Sequence, residues 1–444
     1  MNDKLAEFNE KLKKSKIAII GVGVSNLPLL NYLNDLGCDV TIFSDTKIEA
    51  DLSKYKYKVY EDGLRNLVGF DIIFRSPGCL PTRDEIQAEI KRGAYVTTEV
   101  NEVIKLTPAK VIGVTGSDGK TTTTSLINLI LKANGYKTFL GGNIGIPLFT
   151  KLDEMTSKDI VVLELSSFQL IDMNVSPDIA VVTNIVPNHL DKHKSMDEYI
   201  NSKCNIFRYP GSILVTNLDN EITKKIETKR EIRYFSRTHQ TNAFYVDNGG
   251  VCYQGKNILS LSDTYLRGIH NLENIAAALS ATYDLIDLEV AIRAIKEFRG
   301  VEHRLEYVKT IEGVKWYNDS VSSSPTRTLA GLNSFSEPIV LIAGGYDKNL
   351  DYQPLASSIL TKVSKLILFG DTKNKIYQAV MCEKQDEKLA IYILDSLAEV
   401  VAKAKEVAAE GEVVLFSPAS ASFDMFKNFA ERGEQFKLLV NEIK

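Results

Sequence analysis

The chain has 444 residues, 44% hydrophobic and 25% charged, with 53 basic residues against 57 acidic ones and a formal net charge of −4. That length sets a prior of about three domains, each able to bury a core of its own. The charge balance, interrupted only by a short lysine-rich stretch at 11–16, gives no nucleic-acid footprint, and no run of about 18 apolar residues is present to span a membrane.

Five scattered cysteines, Cys38, Cys79, Cys204, Cys252 and Cys382, form no CxxC pair. This argues against a disulfide framework or structural zinc and fits a reducing compartment. The opening MNDKLAEFNEKLKKSK is polar and amphipathic, without the apolar core of a signal peptide, so the expected location is the cytoplasm.

A strand at 17–20 leads through Gly21-Val22-Gly23 into a helical stretch ending near 36. Further strands at 39–43 and 71–74 follow, the latter running into Ser76-Pro77-Gly78. Strands alternating with helices argue for a parallel α/β sheet, here a first domain over 1–107 that ends at Thr107-Pro108. The central block, 108–299, starts with a strand at 111–115 and continues with strands at 160–163, 179–182 and 213–215. Shorter strands are expected over 230–262, with turns at Asn248-Gly249-Gly250 and Gly255, then a helix over 274–285. The third block, 300–444, carries strands at 338–343, 365–369 and 412–416. The expected fold is α/β with three domains, each a largely parallel sheet with helices, the central one P-loop ATPase-like.

The strongest motif is Val114-Thr115-Gly116-Ser117-Asp118-Gly119-Lys120-Thr121-Thr122-Thr123, between a buried strand and an amphipathic helix. Glycines let the backbone turn so that N–H groups converge, and the helix start favours an anion. Lys120 supplies a cation to the outer phosphates, and the Thr121 hydroxyl suits Mg²⁺. The match to G-x-x-x-x-G-K-[ST] is imperfect, since Val114 stands where the first glycine belongs. Gly21-Val22-Gly23-Val24-Ser25-Asn26 lacks the third glycine of a dinucleotide fingerprint, which favours a structural turn or a site for another nucleotide over a nicotinamide site.

Glu164 ends a strand, where α/β sheets collect ligands, and is placed to hold Mg²⁺. His189, after another strand, suits either a metal or phosphate contact or a structural role. Lys203 falls on a helix and is by itself an ordinary surface lysine.

Thr115-Gly116-x-x-Gly119-Lys120-Thr121, Glu164-Leu-Ser-Ser-Phe-Gln169, Asn188-His189-x-Asp191 and Gly268-x-His270-Asn271-x-x-Asn274 occur in this order. Glu302-His303-Arg304, Asn318-Asp319-Ser320, Gly344-Gly345 and Ser417-Pro418-Ala419-Ser-Ala-Ser422-Phe423-Asp424 follow. Together they resemble the Mur ligase family of peptidoglycan synthesis, over essentially the whole chain, and within it the members that add D-glutamate.

The resemblance implies a cytoplasmic, monomeric enzyme that uses ATP and Mg²⁺ to join D-glutamate to UDP-N-acetylmuramoyl-L-alanine through an acyl-phosphate. It implies that Asp45, Thr46, Lys47, Ser76, Pro77, Gly78 and Asn143 hold the UDP substrate. Gly116, Ser117, Asp118, Gly119, Lys120, Thr121, Thr122, Asn271, Asn274, Arg304 and Asp319 would hold ATP. Thr121, Glu164, His189 and Lys203 would serve the metal, with Lys203 matching the lysine that the family carbamylates. Lys120, His189, Lys203 and Arg304 would be catalytic. Ser323, Lys348, Ser422, Phe423 and Phe429 would face the amino acid, with donors from a helix expected over 422–431.

One departure is local: Val321 stands where the family carries a lysine. Competing readings are another amino-acid ligase of the same superfamily, a nicotinamide-dependent dehydrogenase built on Gly21-Val22-Gly23, and a nucleotide-binding module without chemistry.

Overall fold

The computed structural model describes residues 2–48, 50–189, 192–383 and 389–443. They form two compact units. The first comprises residues 1–260 and 272–295, the second 261–271 and 296–444.

The first unit contains two parallel sheets. In one, the strands lie in the order Lys58–Tyr60, Asp39–Phe43, Lys16–Ile20, Ile72–Arg75, Tyr95–Thr97. The order reverses direction between Lys16–Ile20 and Ile72–Arg75, so a crevice opens outside their carboxyl ends. In the other, the order is Glu231–Phe235, Ile213–Asn217, Ile179–Val182, Lys110–Thr115, Ile160–Glu164, Thr138–Gly142. Its central strands are buried apart from Lys110 at the start of one, the continuous apolar run that a sheet covered on both faces requires. A small antiparallel sheet, Tyr245–Asp247, Gly250–Tyr253 and Lys256–Ser260, accounts for the turn signals near Gly249 and Gly255.

Helix Lys120–Ala133 follows the central strand and buries Leu126, Ile127, Ile130 and Leu131 on one face. Helix Met196–Arg208 starts where Ser195 accepts from the Glu198 amide. The helix expected over 274–285 is His270–Thr282 with a separate short turn at Tyr283–Leu285. It starts earlier because Gly268, at φ +86°, ends the preceding loop just ahead of it. One apolar cluster runs through both sheets of this unit, with the Phe149 ring meeting Phe8, Tyr32 and Phe74 edge-on at 5.2–6.5 Å.

The second unit is built on one sheet in the order Glu306–Ile311, Val314–Asn318, Val413–Phe416, Ile339–Gly344, Val363–Phe369, Ala390–Ile393. Its first strand pairs antiparallel and the rest are parallel. Apolar clusters cover the two faces. The expected fold class, α/β with largely parallel sheets and helices, is what the chain adopts.

Candidate active site

In the first unit, three carboxyl ends of adjacent strands converge: Thr115, Glu164 and Val182. The chain after Thr115 turns at Gly116, φ +154°, where a Cβ would lie 1.8 Å from Thr183 Oγ1. It turns again at Gly119, φ +78°, where a Cβ would lie 2.4 Å from Asn274 Oδ1. Neither position admits a side chain, so both glycines are steric requirements of this turn. Lys120 then opens the helix, its ammonium donating to the Gly116 and Ser117 carbonyls at 2.8 Å each. Asn184 holds the loop from the neighbouring strand end. Its carbonyl accepts from the Ser117 amide at 2.9 Å, and its Oδ1 from the Asp118 amide at 3.0 Å. Those two amides are thus engaged within the protein, and the anion-facing end of the loop is the first turn of the helix, with Thr121 half-buried and Thr122 buried.

Glu164 is buried, and one carboxylate oxygen accepts from Asn143 Nδ2 at 2.7 Å. The other, Oε2, is buried and has no partner among the described residues. A buried carboxylate oxygen left dry is costly unless something positive reaches it. The residues present therefore fit a divalent cation at this point. Lys203 is also buried, donating to the Gly116 carbonyl at 2.7 Å and lying 4.8 Å from the Tyr199 ring centre. Burial and the neighbouring Lys120 charge bring its amine down from 10.5 to about 7, against the pull of Asp118 and Glu164. The composition gave no reason to expect this of a lysine on a helix; the cause is tertiary.

His189 sits exposed on a loop at φ +54°, its ring edge-on to Phe168 at 5.4 Å. Asp191, next in that motif, lies outside the described residues. His193 stacks on Phe168 as well, the two ring centres 5.1 Å apart, and its Nε2 is 2.9 Å from Ser167 Oγ. Burial lowers its pKa.

The first sheet gathers the other sequence-derived residues. Asp45, Thr46 and Lys47 are exposed after strand Asp39–Phe43. Arg83, which sequence reasoning did not single out, pairs with Asp45 at 2.6 Å. The Ser76 amide donates to the Ile20 carbonyl at 2.8 Å, and Cys79 closes the turn around Pro77 and Gly78 by donating to Ser76 at 3.0 Å. Arg75, fully buried, ties this turn to the loop after Glu164: it donates to the Cys79 and Phe168 carbonyls and forms an ion pair with Asp172. Tyr199, likewise missed, is bonded to Ser117 at 2.9 Å. Its position one helical turn before Lys203 was a usable signal.

In the second unit, Asp319 is buried, accepting from the Leu305 amide at 3.2 Å and Ser417 Oγ at 2.7 Å. Burial raises its carboxyl to about 6. It thereby fixes the turn that presents the exposed Arg304. The Asn271 side chain donates to the Arg267 carbonyl at 2.6 Å. Asn274, in the first unit, is buried and accepts from Thr123 Oγ1 at 3.2 Å, one turn into the phosphate-loop helix.

Lys348 lies 5.4 Å from the Phe423 ring centre, and Tyr346 meets the same ring at 5.9 Å. Ser422 is buried, Ser323 half-buried, and Phe429 is edge-on to His303 at 6.0 Å. Val321 contributes no charge, but its carbonyl accepts from Arg327 at 3.3 Å, which brings a cation beside it.

The helix expected over 422–431 is a correction. Ser422 only closes a turn to Phe426, and the helix is Phe429–Glu442, capped by Asn428. Asn428 with Glu431 three residues on is the stronger start signal, and the Glu431 carboxylate already accepts from the Lys427 amide there. Glu302, His303 and Glu434 also cluster, but Lys437 stands 2.6 and 2.8 Å from the two acids and supplies a cation of its own there.

A strand, a tight glycine turn and a helix beginning with lysine, beside a buried carboxylate with an open oxygen, define a nucleotide-phosphate site of an ATP-using enzyme. Residues 114–282 match the Mur ligase middle domain, and 303–420 match the family described as Mur ligase, glutamate ligase domain. A UDP-N-acetylmuramoylalanine--D-glutamate ligase of Acetivibrio thermocellus is 48% identical over 465 residues, covering 100% of both chains. One of Clostridium acetobutylicum is 46% identical over 458 residues, covering 99% of both. The solved UDP-N-acetylmuramate-alanine ligase of Thermotoga maritima shares the fold at TM-score 0.60 and 20% identity, covering 97% of this chain and 100% of that one. The chain belongs to the Mur ligase family.

Proposed function

We propose that this enzyme joins the amine of D-glutamate to the carboxylate of UDP-N-acetylmuramoyl-L-alanine with ATP as the energy source. The observation that supports the chemistry is Glu164 Oε2, buried and without a partner among the described residues, at the same sheet edge as the lysine-bearing phosphate loop. The choice of substrates rests on the relatives that match end to end and carry those substrates in their names.

A carboxylate is a poor acyl donor because its oxygen leaves badly. Transfer of the ATP γ-phosphoryl to that oxygen gives an acyl-phosphate and ADP. The D-glutamate amine then attacks the carbonyl carbon, a C–N bond forms, the amine loses its proton, and inorganic phosphate leaves. Both steps place negative charge on oxygens, so preorganised cations dominate catalysis. Lys120 meets the transferring phosphoryl group. Thr121, Glu164, His189 and Lys203 form the set that would hold Mg²⁺, which supplies charge neutralisation at the phosphates.

An ammonium cannot bind a cation, because it only donates. With its pKa near 7, the Lys203 amine is largely unprotonated just above neutrality. It is then able to attack CO₂, forming a C–N bond and releasing a proton to leave a carbamate with two oxygen ligands. Ser117 and Asp118 shape the loop through Asn184 and Tyr199. The nucleotide roles of Asn271, Asn274, Arg304 and Asp319 are part of the same proposal.

Asp45, Thr46, Lys47, Ser76, Pro77, Gly78 and Asn143 are assigned to the UDP substrate, and Ser323, Lys348, Ser422, Phe423 and Phe429 to D-glutamate. The corresponding domains are 1–107, 108–299 and 300–444. The same reading puts the enzyme in the cytoplasm and takes it to be a monomer. The deciding experiment measures phosphate release with ATP, Mg²⁺ and UDP-N-acetylmuramoyl-L-alanine across a panel of amino acids. D-Glutamate should give the highest rate; a preference for L-alanine, L-lysine or a diamino acid, or no substrate-dependent release, would overturn the assignment.

A further inference from the structure

Three loops of the second unit close on one buried guanidinium. Strands Val314–Asn318, Val413–Phe416 and Ile339–Gly344 are neighbours in its sheet. The loops leaving their carboxyl ends carry Ser323, Ser422 and Lys348, the residues assigned above to the amino acid. Arg432, on helix Phe429–Glu442, is 0% exposed. Its Nε donates to Ser320 Oγ at 3.1 Å and its Nη2 to the Ser320 and Ser420 carbonyls at 2.8 and 3.1 Å. Its Nη1 donates to the Ala421 carbonyl at 2.8 Å. Gly345, at the root of the third loop, packs onto the same group: a Cβ there would lie 2.9 Å from Nη1.

Every one of those acceptors is neutral. Asp424 is the acid whose charge reaches Arg432, yet Asp424 Oδ2 is buried with no hydrogen-bond partner among the described residues. A guanidinium held by dipoles, with no carboxylate bonded to it, keeps much of its field, because little solvent screens it. Burial brings its pKa down to about 10, which leaves it charged at neutral pH. An extra negative charge on a ligand above these loops would be favoured by that field. A neutral side chain of the same shape would gain nothing from it.

We propose that Arg432 sets the preference of this pocket for an amino acid with an anionic side chain, acting through its unneutralised charge and through the loops it holds. It is a positioning and specificity residue, with no contact to substrate required. The inference rests on the amino-acid site proposed above.

The test compares D-glutamate with D-glutamine, which has the same shape and lacks the side-chain charge, in the full-length enzyme. Arg432→Met should lower the kcat/KM ratio of D-glutamate over D-glutamine by about 10-fold or more, with the KM values for ATP and the UDP substrate within about 3-fold of wild type. Arg432→Lys, which keeps the charge, should recover most of that ratio. A merely structural role would lower both amino acids equally, and an unchanged ratio in folded Arg432→Met overturns the inference. Should Arg432→Met fail to fold, Asp424→Asn decides. Removing Asp424, whose charge acts on Arg432 without a bond to it and so weakens its field only in part, should lower the KM for D-glutamate by about 2- to 5-fold and leave D-glutamine unchanged. No fall in that KM overturns the inference. A wild type without D-glutamate-dependent phosphate release would instead refute the function on which the inference stands.

Discussion

Replacing Lys203 with methionine should separate the electrostatic cost of this residue from its other roles. Its amine is brought from 10.5 to about 7, first by burial and then by Lys120. That difference of about 3.5 units corresponds to roughly 5 kcal/mol of unfavourable charge burial, at about 1.4 kcal/mol per unit. The sign follows from proton counts. Below about pH 7 the residue is protonated whether the chain is folded or unfolded, so the folded state bears the whole cost. Above it the folded amine is neutral, while the unfolded one keeps its proton up to about 10.5, and the cost shrinks. It falls to roughly 2 kcal/mol by about pH 9.

Denaturant unfolding of wild type and Lys203→Met in CO₂-free buffer, read on the transition of the first unit, gives the stability gap between them at each pH. That gap, variant minus wild type, should be about 3 kcal/mol larger at about pH 6 than at about pH 9. Whatever methionine changes in packing, or by losing the bond to the Gly116 carbonyl, is common to both conditions and cancels. A gap that stays constant within about 1 kcal/mol would mean that Lys203 titrates near its ordinary value, and would refute the electrostatic argument for its reactivity.

Lys120→Ala should lower turnover on the order of 10²-fold or more while circular dichroism stays native; near-normal turnover would remove Lys120 from the chemistry. Lys348→Ala should raise the KM for D-glutamate about 10- to 100-fold and leave that for ATP nearly unchanged, measured by phosphate release; equal changes in both would argue against an amino-acid contact. Arg83→Ala removes a surface pair with Asp45, so unfolding free energy should change by less than about 1 kcal/mol while the KM for the UDP substrate rises; an unchanged KM would separate this pair from the substrate. Phe149→Ala should cost about 3–5 kcal/mol, because the ring is buried against three other aromatics of the first unit; a loss below about 1 kcal/mol in urea unfolding would contradict that packing.

The parallel strands were legible because they are short apolar runs bounded by glycine, proline or asparagine, and the phosphate loop because its chemistry is contiguous. Glu164 was legible as a residue at a strand end. What could not be read was anything set by residues far apart in the chain. Arg83 meets Asp45 across 38 positions, and Arg75 meets Asp172 across 97, with no local pattern to announce either. The amine of Lys203 is depressed by burial that its helix alone does not confer. Ser422 illustrates the opposite error. A serine followed by apolar residues three apart, Phe423, Phe426 and Phe429, resembles a helix start, but Asn428 accepts from the Glu431 amide and the helix begins there instead.

Two lysines in one small site pose a question that neither answers alone. The Lys120 ammonium rests on two backbone carbonyls, and Lys203 shares one of them, that of Gly116. The charge of Lys120 is part of what disfavours the charged form of Lys203, while Asp118 and Glu164 act against it. While Lys203 is protonated, the arrangement sets its buried charge against that of the half-buried Lys120. Nucleotide phosphates would draw on Lys120, and a carbamate would turn Lys203 from a competitor into an anion. Each change relieves a repulsion already present, so both should tighten the folded state. Ligand that binds only the folded form stabilises it by mass action, by roughly 2.7 kcal/mol at 100 times its dissociation constant. The unfolding midpoint of the first unit should therefore rise with ATP, and rise further when bicarbonate and Mg²⁺ are added together. In Lys203→Met the ATP step should persist and the bicarbonate step should vanish. A bicarbonate step of equal size in that variant would place the carbamate elsewhere.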